Sequence, residues 1–343
     1  MEKITILSTG TWGTALAKTL CEAGHEITAW SPFESESNEL KRTHMHRNLT
    51  GVLLPSEIRF TTSMEEAVDG ASHIIVASPS TFVRGTASLL KEYIKEGQTV
   101  STVAKGIEND TLFTMSEVIE DVLGNGDNVV ALSGPTHAEE VAVGIPTCIV
   151  SAAVSEETAK NVQRLFVGTC IRPYTNTDIK GVELCGALKN IVALACGIST
   201  GIGYGDNTKA ALITRGMSEI TRLGMAMGCS PQTFYGLAGV GDLIVTATSE
   251  HSRNNRCGRF IGEGMPVKAA IERVGMVVEG INALSGAMKL KEKYGVEMPI
   301  TETVNNVVNN GVSPRDAVDG LLSRSIKSET LFTSDCAMNK TGV

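Results

Sequence analysis

Apolar residues fall in short runs over the first half of the chain and in helix-spaced stretches over the second. Ile4 to Leu7 is a run of strand length. It enters Ser8-Thr9-Gly10-Thr11-Trp12-Gly13, then a helix from Thr14 to Ala23, a stop at Gly24-His25 and a strand from Glu26 to Trp30. Further strands are expected at His73 to Ala77, Thr99 to Val103, Val129 to Leu132, Cys148 to Ala152 and Cys170 to Tyr174. Helices are expected at Ser63 to Val68, with a serine cap, at Thr81 to Tyr93 and at Glu156 to Phe166. Continuous apolar strands alternating with helices predict a parallel sheet covered on both faces.

After Tyr174 the strand signals stop. Asn176-Thr177-Asp178 caps a helix whose clear part runs from Glu183 to Ala195, and Gly197, Gly201, Gly203 and Gly205 are expected to end it. Those glycines also let backbone come close to something. Ala187, Leu188, Ile191, Val192, Leu194 and Ala195 leave this helix almost no polar face, and Lys189 is its only cation. Burial there would depress the lysine pKa toward neutrality. The alternative is an ammonium that snorkels to the surface, and the helix alone does not decide between them. Helices follow at Thr208 to Met227, after Gly239-Val240-Gly241-Asp242-Leu243, from Ser252 to about Gly262, from Val277, at Ile300 to Asn309 and at Pro314 to Leu322. The expected organisation is α/β: a Rossmann-type doubly wound sheet over residues 1–180, an all-α domain over 181–330 and a frayed tail over 331–343.

The 343 residues, 42% of them hydrophobic, suffice for two domains. A net charge of −8 removes any nucleic-acid footprint, so an anionic ligand needs a local cluster of cations. The eight cysteines form no C-x-x-C pair, and several sit in apolar runs as small core residues of a reduced compartment. With no leader-like N-terminus and no apolar run of membrane length, the expectation is a cytoplasmic protein without membrane insertion.

Candidate chemistry sits at the strand ends. Gly10 permits close approach of a pyrophosphate, Gly13 permits tight helix–strand packing, and free N–H groups at the helix start hold the charge. Ser8 takes the place of the first glycine in G-x-G-x-x-G; it fits with negative φ and is strained otherwise. Ser31-Pro32-Phe33, then Glu34, occupy the position that separates NAD from NADP, and decide neither; Lys41, Arg42 and Arg47 lie within reach of a 2′-phosphate. His44 and His46 read as solvated loop residues, and no metal site is expected. Lys105 precedes Gly106 at a strand's carboxyl end, where open parallel sheets bind ligands. Gly134 and Thr136 form a similar turn, followed by His137, a general-base candidate without an obvious orienting carboxylate. Asp242 is either a helix N-cap or a site residue. Ser252, Arg253 and Asn254 open a helix with the chemistry of a phosphate clamp.

Seven stretches occur in a characteristic order: TGTWGTALA (Thr9 to Ala17), KGIE (Lys105 to Glu108), GPTHAEEVA (Gly134 to Ala142), ELCGALKNIVALACGI (Glu183 to Ile198), AGVGDLI (Ala238 to Ile244), SRNNRCG (Ser252 to Gly258) and VVEG (Val277 to Gly280). Together they make the chain resemble the NAD(P)-dependent sn-glycerol-3-phosphate dehydrogenases of the bacterial soluble type. The resemblance implies hydride transfer between NAD or NADP and dihydroxyacetone phosphate, giving glycerophosphate for phospholipid synthesis. It implies Lys189 as catalytic residue. It implies Lys105, Gly134, Thr136, Lys189, Asp242, Ser252, Arg253 and Asn254 as the substrate pocket. It implies Thr11, Trp12, Lys105, Ala138, Arg253, Val277 and Glu279, beside Gly10, Gly13 and Phe33, around the cofactor. Against the family pattern stand Ser8, usually glycine, and Ser31-Pro32-Phe33, where a basic residue is frequent. Two other readings share the fold: a 3-hydroxyacid or ketopantoate-type reductase, and a nucleotide sensor without turnover. The helical half offers surface for a homodimer, with no seam visible in the sequence.

Overall fold

A computed structural model describes residues 1–124 and 126–325; the expected tail over 331–343 lies outside them. Eight strands form one sheet: β1 (Lys3–Leu7), β2 (Glu26–Trp30), β3 (Arg59–Thr61), β4 (His73–Val76), β5 (Thr99–Thr102), β6 (Val129–Ser133), β7 (Thr147–Ala152) and β8 (Ile171–Asn176). Their order is β3-β2-β1-β4-β5-β6-β7-β8. All neighbours are parallel except β6 and β7. The chain reverses direction across the sheet between β1 and β4, which opens the crevice where doubly wound sheets bind nucleotides. Leu7 pairs with Val76 at that crevice, so Ser8 and Ala77 form its lip.

Seven helices belong to this half: α1 (Thr11–Glu22), α2 (Glu34–Thr43), α3 (Met64–Val68), α4 (Val83–Leu90), α5 (Met115–Leu123), α6 (Ala138–Ala142) and α7 (Glu156–Arg164). Strands β1 and β4 contribute Ile4, Ile6, Ile74 and Ile75, all fully buried, because helices cover both faces. Sequence periodicity misses α2, whose polar residues bury little beyond Ser37 and Leu40, and the three-residue strand β3.

The helical half is α8 (Ile179–Ile202), α9 (Asp206–Ala226), α10 (Pro231–Phe234), α11 (Asp242–Thr248), α12 (Arg253–Gly262), α13 (Val267–Val274), α14 (Glu279–Tyr294), α15 (Pro299–Asn309) and α16 (Pro314–Leu322). Helix α8 is its axis. Asp178 caps it by accepting from the Gly181 N–H at 3.1 Å. It runs longer than expected, and its end is Gly203 in the left-handed conformation; Gly197 and Gly201 lie inside it. Their role is close approach. A Cβ on Gly197 would meet the Asn255 carbonyl at 2.1 Å, and one on Gly201 the Arg259 carbonyl at 2.2 Å. Gly258 and Gly262 on α12 return the contact: a Cβ on either would sit 2.2 Å from the Leu194 or Ile198 carbonyl. The two helices therefore touch backbone to backbone.

Helix α8 also corrects the expectation about apolar runs. Its 24 residues are long and apolar enough to cross a membrane, but the span is wholly buried inside the protein. It is the centre of a core that includes Leu184, Leu188, Ile191, Ile220, Leu243 and Leu284.

Candidate active site

Lys189 sits in the middle of α8 and is 4% exposed. Its ammonium does not snorkel. It donates to Asp242 Oδ1 in a short ion pair and to Thr246 Oγ1 at 2.5 Å. Asp242, 1% exposed, is the first residue of α11, not its cap; Gly241 holds the cap position. A π turn, Leu237–Gly241, delivers it there. Thr246 lies one turn further along α11 and itself donates to the Asp242 carbonyl at 2.6 Å. The sequence reading passed over Thr246; its spacing of four from Asp242, on one helix face, was the available signal.

Lys105 follows β5 and reaches the same carboxylate. Its Nζ donates to Asp242 Oδ2 at 2.7 Å and to the Gly134 carbonyl at 3.0 Å. Gly186 makes room for it: a side chain there would meet Ser133 Oγ at 3.0 Å and Lys105 Cγ at 3.3 Å. Gly134 has φ +151°, and a Cβ on it would press on Cys148 and Ile149 backbone at 3.0 Å. Strand ends β5 and β6 thus meet helices α8 and α11 at one buried point.

Burial pushes the Lys189 pKa down to about 7; Asp242 opposes the shift and Lys105 adds to it. Burial also lowers the Arg253 pKa, against the opposing pull of Glu279 and Glu139. An ammonium has three donors. On Lys189, Asp242 and Thr246 take two of them, and the Lys105 amine lies close by.

The first turn of α12 carries the remaining cations. Arg253 is half-buried, and among the described residues its guanidinium has no hydrogen-bond or ion-pair partner. Arg256, one turn on, has a buried Nε without a partner. Two arginines so placed suit an anion. Ser252 and Asn254 are more structural than the clamp reading implied. Ser252 Oγ accepts from the Asn255 N–H at 3.2 Å, capping α12. Asn254 donates to Asn190 Oδ1 at 2.9 Å and accepts from the Gly280 N–H at 2.8 Å, tying α12 to α8 and α14 and leaving one amide proton. Thr136 Oγ1 is occupied locally, donating to the Gly134 carbonyl at 3.2 Å. His137 is half-buried beside His251 (ring centroids 5.6 Å apart), with Nε2 unpartnered; burial first lowers its pKa, and nearby Lys189 adds to that.

The other residues expected around the cofactor fall at the start of α1, after β2, at the start of α6 and at the start of α14. Helix α1 has no side-chain cap and no acid in its first turn, so the amides of Thr11, Trp12 and Gly13 face outward as an anion receptor. A Cβ on Gly13 would lie 2.2 Å from the Ser8 carbonyl, so α1 is seated directly on the turn. Ser8 has φ +102°: the turn is the strained one. Phe33, 66% exposed, presents its ring beyond the end of β2. From the other half, Glu279 accepts from the Ser80 N–H at 3.2 Å and Ser80 Oγ at 2.7 Å, clasping the loop after β4. Val277 precedes it, half-buried, and Ala138 is buried at the start of α6. A dinucleotide fits this donor set: free helix amides for phosphates, a flat apolar ring for a base, and a crevice floored by glycine. His46 departs from expectation. It is 6% exposed and packs on the glycine turn beside Thr9 and Glu36. The described residues include no group of three or more His, Cys, Asp or Glu arranged for a metal.

Residues 3–159 match the family model for the N-terminus of NAD-dependent glycerol-3-phosphate dehydrogenase, and residues 178–319 match that for its C-terminus. The chain is 54% identical over 334 residues to the NAD(P)+ glycerol-3-phosphate dehydrogenase 2 of Lactobacillus delbrueckii subsp. bulgaricus, covering 96% of this chain and 99% of that one. It is 47% identical over 330 residues to the corresponding protein of Agathobacter rectalis, covering 96% and 98%. The crystal structure of glycerol-3-phosphate dehydrogenase from Coxiella burnetii superposes with a TM-score of 0.90 at 34% identity, over 94% of this chain and 99% of that one. A ketopantoate reductase from Ralstonia eutropha JMP134 shares the fold alone, with a TM-score of 0.61 at 16% identity over 92% of this chain and 99% of that one. Sequence, fold and site geometry thus agree, and the chain belongs to the NAD-dependent glycerol-3-phosphate dehydrogenase family.

Proposed function

We infer that the protein interconverts dihydroxyacetone phosphate and sn-glycerol 3-phosphate with NAD or NADP. The observation that carries this is Lys189: a buried amine in the middle of α8 held by Asp242 and Thr246 and close to Lys105, its pKa pushed down to about 7 by burial. The α1 amides, Phe33 and the Glu279–Ser80 clasp are the groups that would hold NAD(P)H, whose chemistry there would be hydride donation.

As C2 is reduced, its carbonyl oxygen gains negative charge. Lys189 gives that oxygen a proton: an N–H bond breaks, an O–H bond forms, and the amine is left neutral. In the oxidative direction the neutral amine takes the hydroxyl proton. Asp242 orients the ammonium, and Thr246 fixes its second donor. Lys105 has a donor left after Asp242 and Gly134, which can hold the substrate oxygen. Arg253 receives the phosphate, helped by the first amides of α12. Burying the reacting carbonyl among these dipoles strengthens each interaction.

In this reading residues 1–180 bind the cofactor and residues 181–330 bring the lysine and the phosphate clamp. A cytoplasmic location and a homodimer belong to the same proposal. The test is oxidation of NADH and NADPH followed at 340 nm with dihydroxyacetone phosphate. Turnover with at least one cofactor is expected; no turnover with either overturns the reading.

A further inference from the structure

The adenosine end of the crevice contains a carboxylate that neither the fingerprint nor the catalytic chemistry accounts for. Glu36, in the first turn of α2, is half-buried. Its Oε2 accepts from Thr9 Oγ1 at 2.7 Å and from Ser31 Oγ at 2.6 Å. Thr9 belongs to the turn after β1, and Ser31 is the first residue past β2. Both hydroxyls are buried, at 1% exposure, so the carboxylate is pinned between two strand ends. Among the described residues no lysine or arginine pairs with it, and its Oε1 has no hydrogen-bond partner. Lys41 and Arg42 lie in the last turn of α2 and are exposed, as is Arg47. The neighbouring His46 is held toward its neutral form by burial. Among the described residues the carboxylate is therefore held by two hydroxyls and the start of α2, with no lysine or arginine paired to it.

In a doubly wound sheet the end of β2 is where the adenosine ribose rests. A fixed carboxylate there accepts hydrogen bonds from ribose hydroxyls and repels a 2′-phosphate. Resting on the dehydrogenase reading, we propose that Glu36, buttressed by Thr9 and Ser31, makes this protein selective for NAD(H) over NADP(H). The acid does not stand at the strand end itself. It arrives from α2, five residues beyond Ser31, and the two hydroxyls bring it back to the strand end. Ser31-Pro32-Phe33 is therefore neutral in the sequence while the folded corner is acidic.

The decisive measurement is direct binding, read from quenching of protein fluorescence, with NADH and NADPH titrated separately. Opposing a fixed carboxylate to a phosphate dianion corresponds to ~100-fold or more in affinity. The wild-type protein is expected to favour NADH by about that factor, with the same ratio in kcat/KM. Glu36→Gln removes the charge and keeps the shape; it is expected to narrow the ratio at least ~10-fold, mainly by tightening NADPH. Glu36→Asp retains the charge and is expected to retain most of the preference. Equal or tighter NADPH binding by the wild type overturns the proposal, as does an unchanged ratio in a folded Glu36→Gln. If that variant does not fold, the wild-type ratio decides. Failure to reduce dihydroxyacetone phosphate with either cofactor would strike the reaction, while the binding ratio still decides the role of Glu36.

Discussion

Lys189 draws its partners from Asp242 and Thr246 on α11, and Lys105 joins them from the end of β5, 137 residues away from Asp242. Glu36, by contrast, meets Thr9 and Ser31, the farther of them 27 residues away. The first centre exists only when both halves of the chain are folded together; the second is a local product of one strand–helix–strand unit. In the first, Lys189 and Asp242 are buried, so their charges are coupled strongly. The second is half-open, and acts by refusing a charge more than by using one. On the proposed reading, reactivity comes from long-range assembly and discrimination from short-range sequence.

Substitutions that affect one centre and spare the other test this contrast. Lys189→Ala should lose at least ~10²-fold in kcat while cofactor binding stays near wild type, because only the proton donor is gone; near-normal turnover would remove Lys189 from the chemistry. Arg253→Ala should raise KM for the phosphorylated substrate about 10- to 100-fold, the range for losing hydrogen bonds to a charged group. A KM unchanged in steady-state assays would place the phosphate elsewhere. The pH profile is the next effect. Burial lowers the Lys189 pKa to about 7, so the protonated donor is present below that pH and lost above it. Ketone reduction should fall up to about tenfold per pH unit above about 7, and alcohol oxidation should rise through the same window. A profile flat from pH 6 to 9 would contradict the burial argument.

Two stability measurements probe the scaffolds. Gly258→Ala forces a methyl to within 2.2 Å of the Leu194 carbonyl. It should cost about 2–3 kcal/mol, as overpacking does, and lower Tm and activity together because α12 carries the clamp. Ser8→Gly should have the smallest effect. It relieves a non-glycine φ of +102°, and should stabilise by about 1 kcal/mol, strain relief less the added chain entropy. Thermal melts read both.

The local centre was only partly legible in advance. The glycine turn, the strands around it and the departure at Ser8 are written in contiguous residues. Helix α2 is not, because its polar surface carries no helical stripe beyond Ser37 and Leu40. Without α2 there was no reason to bring Glu36 to Ser31. The distant centre was legible through Lys189, since a single cation in an apolar helix is conspicuous, and through the family-like stretches around Lys105 and Asp242. Thr246 carried one faint signal, its spacing of four from Asp242, which gains meaning only once Asp242 is known to face Lys189. Gly197 and Gly201 carry both readings in the sequence, helix end and close backbone approach, and the fold keeps only the second. Only the position of α12 distinguishes the two.

Asp242 holds two ammonium groups with its two oxygens. When Lys189 surrenders its proton, Lys105 still neutralises the carboxylate, so no bare anion is stranded in the interior. On the proposed mechanism, the carboxylate keeps one ammonium partner in either charge state. A catalyst built this way has no resting direction of its own: which way it runs is left to the supply of ketone, alcohol and nucleotide around it.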